Sequence, residues 1–498
     1  MSEKPAAIVI LAAGQGTRMK SSCPKVLHQI GGRTLLAHVI TAAQGLQPDH
    51  IAVVVRHDRD AVAAHAEHTH PGVIIADQDD VPGTGRATWS AMQALPRDLA
   101  GPVIILAADV PLIDTPTLTD LLTHHTGGVT ILSTVVDDPH GYGRIVRDHT
   151  GAVAGIVEEK DASDAQRDIT EINSGVYAID AEFLRTALDQ VGTDNVQGEM
   201  YLTDVVAIAR EQGQVVSAQI SDDPIVAEGV NDKVQLAVMG AELNKRILTA
   251  WMKAGVTIVD PATTWVDVTV RVEPDSTILP NSQLLGNTHV GQGATIGPNT
   301  TLENVEVGQQ ASVIRTHAID SVIGAHATVG PFSYLRQNTV LSDGAKVGPF
   351  AESKNSRLGP GAKLPHLSYL GDADVGEGAN IGAGTITANY DGINKYRTTI
   401  GDHARIGSGN MLVPPVTIGD GAYTGAGTTL REDVPPGALA VPEAGGQPVG
   451  QNNIENWTIT RRPGTTSADA AQAALDGEDT DLHDSAEPAN PQQEKKPR

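Results

Sequence analysis

The chain has one cysteine, Cys23, in 498 residues, so no internal disulfide can staple it. Aromatic residues amount to only 3%, which leaves a core to be built from Val, Ile, Leu and Ala. No apolar run approaches the roughly 18 residues that would cross a bilayer. The first such run, Ile8 to Ala13, has no basic stretch ahead of it and does not read as an export signal. Basic residues are also scarce: 35 Lys and Arg against 60 Asp and Glu give a net charge of −25. That disfavours nucleic acid as the main partner, because phosphate-backbone binding needs a basic face. Small phosphorylated ligands stay open, since a few local cations suffice for them. The expectation is a soluble cytoplasmic protein without membrane insertion.

Hydrophobic residues make up 40% and charged residues 19%, a globular balance, and Gly is abundant at 52. At about 150 residues per domain, two or three domains are expected. Residues 1–228 alternate short β-branched runs with helical patterns. Ile8-Val9-Ile10-Leu11, Ile51-Ala52-Val53-Val54-Val55 and Val103-Ile104-Ile105-Leu106 read as buried strands of a mostly parallel α/β sheet. Residues 229–255 read as a linker helix, with Val234, Val238, Leu243, Ile247, Leu248, Trp251 and Met252 at three- and four-residue spacings and Gly255 to stop it.

From Val266 the period becomes six. Val266, Val272, Ile278, Leu284, Val290, Ile296 and Leu302 form one run. Ile323, Val329, Leu335, Leu341 and Val347 form a second, and Ile400, Ile406, Leu412 and Ile418 a third. A six-residue repeat fits neither a helix nor an alternating strand; it is the signature of a parallel β-helix, with one aliphatic residue per face pointing into a narrow prism. The prism domain spans residues 256–462. Between Ile381 and Ile400 the segment Asn389-Tyr390-Asp391-Gly392-Ile393-Asn394-Lys395-Tyr396 breaks the period and has to loop outwards. The tail, residues 463–498, is rich in Ala, Asp, Glu, Gln and Pro and is expected to be disordered.

The first strand runs into Leu11-Ala12-Ala13-Gly14-Gln15-Gly16-Thr17-Arg18-Met19, with Lys25 close behind. Its glycines let the backbone approach a phosphate, and amides at the start of the following helix can donate to it. Met19 stands where a dinucleotide fingerprint would have its third Gly, and the Gly-Lys-Ser/Thr of a Walker A loop is absent. The string resembles the signature of nucleotidyltransferases that make nucleoside-diphosphate sugars. Further matches are Gln78, Gly83-Thr84-Gly85, Ala108-Asp109-Val110-Pro111, Gly141-Tyr142-Gly143-Arg144, Glu158, Asn173-Ser174-Gly175 and Glu228-Gly229-Val230-Asn231. With the hexapeptide half, residues 5–462 resemble the bifunctional N-acetylglucosamine-1-phosphate uridylyltransferase/glucosamine-1-phosphate acetyltransferases.

The resemblance implies that Asp109 and Asn231 hold Mg²⁺ and that Arg18 and Lys25 clamp the phosphates of UTP. It assigns uracil and ribose contacts to Leu11, Ala12, Ala13, Gly14, Gln78, Gly83 and Thr84, with Ala107 and Ala108 beside them. The sugar would meet Gly143 or its neighbour Gly141, Glu158 and Asn173. In the second half it makes His366, within Leu364-Pro365-His366-Leu367-Ser368-Tyr369-Leu370-Gly371-Asp372, the general base. Its place two positions after Leu364 keeps it out of the prism interior. Arg336 and Lys354 are three hexads apart, so they stack one rung apart, as two cations with no acid between them. Tyr369, Asn380 and Lys395 would complete the amino-sugar phosphate pocket. Ala383, Asn389, Tyr390, Ser408 and Ala426 would meet acetyl-coenzyme A, with an amide near Ala383 as oxyanion donor. Relatives can place an Arg after an Ala-Leu-Ala segment to meet the coenzyme. Here Ala438-Leu439-Ala440-Val441-Pro442 runs into Glu443, and Arg461 and Arg462 are the open alternatives. The prism's left hand and a homotrimer also follow from the resemblance. Two other readings stay open: a single-activity sugar-nucleotide pyrophosphorylase, and a non-catalytic regulatory subunit of the same architecture.

Overall fold

The computed structural model describes residues 4–442 and 451–477. It divides into two compact units, residues 1–244 and 245–498.

In the first unit, one sheet runs in the order Val216–Ser221, Val129–Val135, Glu171–Asp180, Pro102–Ala107, Ala7–Leu11, His50–Val55, Ile74–Asp77. Its neighbours are parallel except around Glu171–Asp180, which is antiparallel to both of its neighbours. Period-two alternation sends Ala7 and Val9 to one core and Ile8 and Ile10 to another, so the sheet is covered on both faces. That makes a Rossmann-like α/β fold. Leu11 and Ala107 end adjacent strands in register, and the loops beyond them leave from the same edge. A hairpin, Gly143–Arg147 with Val153–Val157, branches off Glu171–Asp180.

The expected linker is a helix over Lys233–Lys253, and Gly255 follows it at φ +98°. Leu236, Met239 and Leu243 pack into a cluster of the first unit; Ile247, Leu248 and Trp251 pack against the core of the second. Val234 and Val238, although in phase with that set, are exposed.

The second unit is a left-handed parallel β-helix. Thr277, Thr295, Ser312, Thr328, Lys346, Lys363, Asn380, Arg405 and Tyr423 pair in turn down one face. Their steps of 16, 17 or 18 residues, with one of 25, explain why the hexads fall into separate runs: corners shorten while the inward residue keeps its place. The 25-residue step carries the Asn389–Tyr396 loop. The hexad aliphatics are buried apart from Val272, which is half-buried. Two of the three faces merge into a single sheet because Thr300–Val307 and Thr316–Ile323 each continue round a corner.

The last strand of the prism is antiparallel, and the described part of the tail departs from expectation. Gln451–Ile454 pairs antiparallel with Leu439–Pro442 and ends that sheet. Thr466–Asp476 is a helix, with Ala468 and Ala471 buried and Ser467 Oγ donating to His403 O at 2.8 Å. Thr465 caps it by accepting from Ala468 N. An alanine face this small registers as polar sequence until it has a surface to pack on. Residues 478–498 lie outside the described part.

Candidate functional sites

In the first unit, Lys25 Nζ donates to Asp109 Oδ2, with both side chains largely buried. Arg18 Nη2 donates to Asn231 Oδ1 at 2.8 Å, and Val230 N donates to Asp109 O at 2.8 Å. The two proposed metal ligands therefore lie on loops tied to each other, each held by one of the two proposed phosphate clamps. The helix expected after the Gly loop is only a 3₁₀ turn, Thr17–Met19, because Gly16 and Lys20 are both left-handed. Charge on Arg18 and Lys25, rather than a helix terminus, is what this loop offers an anion.

Ala108 N donates to Leu11 O at 3.0 Å and Ala12 N to Val54 O at 2.9 Å, which anchors Leu11–Gly14 beside Ala107–Asp109. Gln78 Nε2 donates to Val81 O at 2.9 Å and Gly83 O at 3.3 Å, closing the loop ahead of Thr84, whose Oγ1 accepts from Leu202 N. Gly143 pairs with Asn173, and a Cβ on it would lie 3.5 Å from Glu158 Oε2. So Gly143, Glu158 and Asn173 converge, whereas Gly141 is exposed and its N–H serves Glu159 instead. Burial lifts the Glu158 carboxyl above its usual range, opposed by a hydrogen bond from Thr203. Asn173 Nδ2 donates to Tyr177 OH at 2.7 Å. The residue reading passed over Tyr142 and Glu228 as individual groups. Burial, then the charges of Glu228 and Asp109, raise the Tyr142 phenol, so all three are neighbours.

In the second unit, Arg336 and Lys354 do stand on adjacent coils, but the column is not free of acid. Glu352, on the same strand as Lys354, accepts from Arg336 Nη1 at 2.9 Å. Hexad arithmetic compares residues 18 apart and misses one 16 apart that reaches diagonally across the rung. Lys354 is held below its usual range first by a contact with Lys395 and by that neighbour's charge, then by burial and Arg336. Three cations are thus crowded together, with Tyr369 in register with Glu352. Asn380 is not part of that cluster; it lies in the other sheet between Lys363 and Arg405.

His366 is exposed. Gly384 N donates to His366 O at 3.3 Å, Gly409 N to Ala383 O at 2.7 Å, and Gly427 N to Ser408 O at 2.8 Å. His366, Ala383, Ser408 and Ala426 therefore occupy the same corner of four successive coils. Among the described residues the Ala383 N–H has no acceptor. Asn389 Nδ2 donates to Asp372, a buried carboxylate that closes the His366 segment and to which the sequence assigns no role, and Tyr390 OH donates to Gly392 O at 2.6 Å. Glu443 falls outside the described residues; Arg462 lies 5.3 Å over the Tyr423 ring.

Residues 8–169 match the model of the MobA-like NTP transferase domain, and residues 397–432 that of the bacterial transferase hexapeptide (six repeats). The bifunctional protein GlmU of Paenarthrobacter aurescens is 54% identical over 94% of this chain and 95% of its own length. The chain belongs to the GlmU family. The GlmU proteins of Corynebacterium jeikeium and Rhodococcus jostii are likewise 54% identical, over 94% and 96% of this chain and 96% and 97% of their own. As a GlmU-family protein the chain is a bifunctional transferase, with nucleotidyltransferase and acyltransferase activities. Among its described residues no helix is long and apolar enough to cross a membrane.

Proposed function

We propose that the two halves make UDP-N-acetylglucosamine in sequence, with the residue roles that follow. The corner ladder of His366, Ala383, Ser408 and Ala426, together with three crowded cations in the same prism, is the observation that carries this reading. Scaffolding needs neither the ladder nor the cations.

Glucosamine 1-phosphate places its phosphate on Arg336, Lys354 and Lys395, beside Tyr369. His366 takes the amine proton as the nitrogen attacks the thioester carbonyl of acetyl-coenzyme A, and the thiolate leaves. The Ala383 N–H faces the developing oxyanion. Coils rise about 4.8 Å each, so a thin coenzyme arm can run along Ala383, Ser408 and Ala426, with Asn389 and Tyr390 closing over it. In a homotrimer, a neighbouring prism supplies what one chain keeps apart, bringing an Asn380 to the cations.

In the first half, N-acetylglucosamine 1-phosphate attacks the α-phosphorus of UTP and expels pyrophosphate. Leu11–Gly14, Gln78, Gly83 and Thr84 seat the nucleoside, and Gly143, Glu158 and Asn173 seat the sugar. Lys25 and Arg18 neutralise phosphate charge. A carboxylate and an amide oxygen on joined loops suit Mg²⁺, which takes few protein oxygens and completes its shell with phosphates and water. Held by Asp109 and Asn231, the ion would polarise phosphoryl oxygens and stabilise charge in an in-line displacement. The product serves cell-wall synthesis in the cytoplasm.

Paired assays on the full chain test the reading. Pyrophosphate is released from UTP only with N-acetylglucosamine 1-phosphate, and free thiol from acetyl-coenzyme A only with glucosamine 1-phosphate. Absence of thiol release would leave a pyrophosphorylase on a scaffold; absence of both would leave a regulatory subunit.

A further inference from the structure

Arg144 has no part in the chemistry above, yet it is 1% exposed. Charged side chains are rarely buried so completely, and desolvating them is costly. Its guanidinium ties three segments together. Nη1 donates to Tyr142 O, and Nη2 donates to Arg167 O at 3.3 Å and lies 2.7 Å from Glu159 Oε2. That last approach is off the line of an N–H, so it is a contact of charges more than a directed bond, and Nε is buried with no protein partner. A guanidinium left partly unsatisfied is a poor way to gain stability, since an apolar residue of similar volume usually does as well or better.

The place of Arg144 suggests what it does instead. It follows Gly143, and it is in register with Ile172 on one side and Val157 on the other. Gly143, Asn173 and Glu158, the three residues that converge on the sugar, are each one position away from that row. Glu159 in turn holds the loop from its far side, where its Oε1 lies 3.3 Å from His140 Nδ1 and it accepts from the Gly141 N–H.

We infer that Arg144 and Glu159 are positioning residues that set the spacing of Gly143, Glu158 and Asn173, and so govern affinity for the acetylated sugar phosphate rather than for UTP. The inference rests on the sugar pocket proposed above.

Its test is kinetic, on the full chain, with acetyl transfer as an internal control of folding. Arg144→Met raises the KM for N-acetylglucosamine 1-phosphate by about tenfold or more, because displacing binding groups by even an ångström is costly. The KM for UTP stays within about twofold and acetyl transfer is unchanged. Arg144→Lys, which keeps the charge but lacks the fork, recovers part of the loss. An unchanged sugar KM, or sugar and UTP constants that rise together, overturns the inference. If Arg144→Met fails to fold, Glu159→Gln decides by the same split, since it removes the charge and keeps the shape. Failure of the wild type to use N-acetylglucosamine 1-phosphate would instead sink the pocket itself.

Discussion

Gly16 lies at φ +63°, and a Cβ on it would come 2.5 Å from the Cβ of Lys25. Alanine here meets two penalties: a left-handed backbone costing about 1 kcal/mol, and displacement of the lysine that holds Asp109. Gly16→Ala therefore lowers uridylyl turnover by about ten- to a hundredfold and leaves acetyl transfer intact, as the paired assays would read. An unaffected uridylyl rate would mean that the Lys25 contact is dispensable. The same separation holds for the chemical groups. His366→Ala lowers thiol release by about 10²–10⁴-fold, the usual share of a general base, and spares pyrophosphate release. Asp109→Ala does the reverse, and loss of both activities from either change would refute independent sites. These positions were legible because short, unusual strings carried them: a Gly loop after a strand, an Asp beyond a strand end, a His just outside a hexad. The roles of Glu352 and Asp372 were not, because Glu352 reaches Arg336 diagonally across an 18-residue coil and Asp372 meets Asn389 across one of 17, which only the folded register discloses.

At the level of elements, the prism was readable because every coil has to send an aliphatic residue inward. The inverted strand Glu171–Asp180 was not, because a buried run looks alike in either direction. The Thr466–Asp476 helix was missed because its docking depends on glycines elsewhere. A Cβ at Gly421 (φ +60°) would lie 1.8 Å from Ser467 O, and one at Gly437 would lie 2.9 Å from Ala471 Cβ. Gly421→Ala thus detaches this helix, and limited proteolysis cuts within 463–477 much faster than in wild type. An unchanged digest would show that the helix can shift without letting go. A second element-scale prediction concerns pH. His289 bridges Glu306 at 2.8 Å and Glu273 at 3.1 Å on neighbouring coils, and the hydrogen bond to Glu306 leads in raising its pKa. The bridge therefore stabilises fully below about pH 6.5, the unfolded value, and is lost as pH rises through the higher folded one. Because the groups are partly exposed, the effect is of the order of a degree in melting temperature. The Tm difference between wild type and His289→Gln shrinks from pH 6 to pH 9; a constant difference would contradict the bridge.

At the scale of the molecule, each buried cluster among the described residues draws on one unit only: three on residues up to Leu243, and one, continuous, from Ile247 onward. The two units also cohere differently. A doubly covered sheet shares its core among all its strands, whereas in a solenoid each coil contacts only its neighbours and stability adds coil by coil. Calorimetry of the intact chain should accordingly show two transitions, each moved by its own ligand. A ligand that binds one folded unit at a hundred times its Kd stabilises that unit by about 2.7 kcal/mol and does nothing for the other. UTP with Mg²⁺ therefore raises one transition and acetyl-coenzyme A the other, and Asp109→Ala cancels the first shift without touching the second. A single transition raised by either ligand would mean that the 21-residue helix from Lys233 to Lys253 couples the two units into one cooperative whole. In that case, separating the activities by mutation would have to be explained by local chemistry alone.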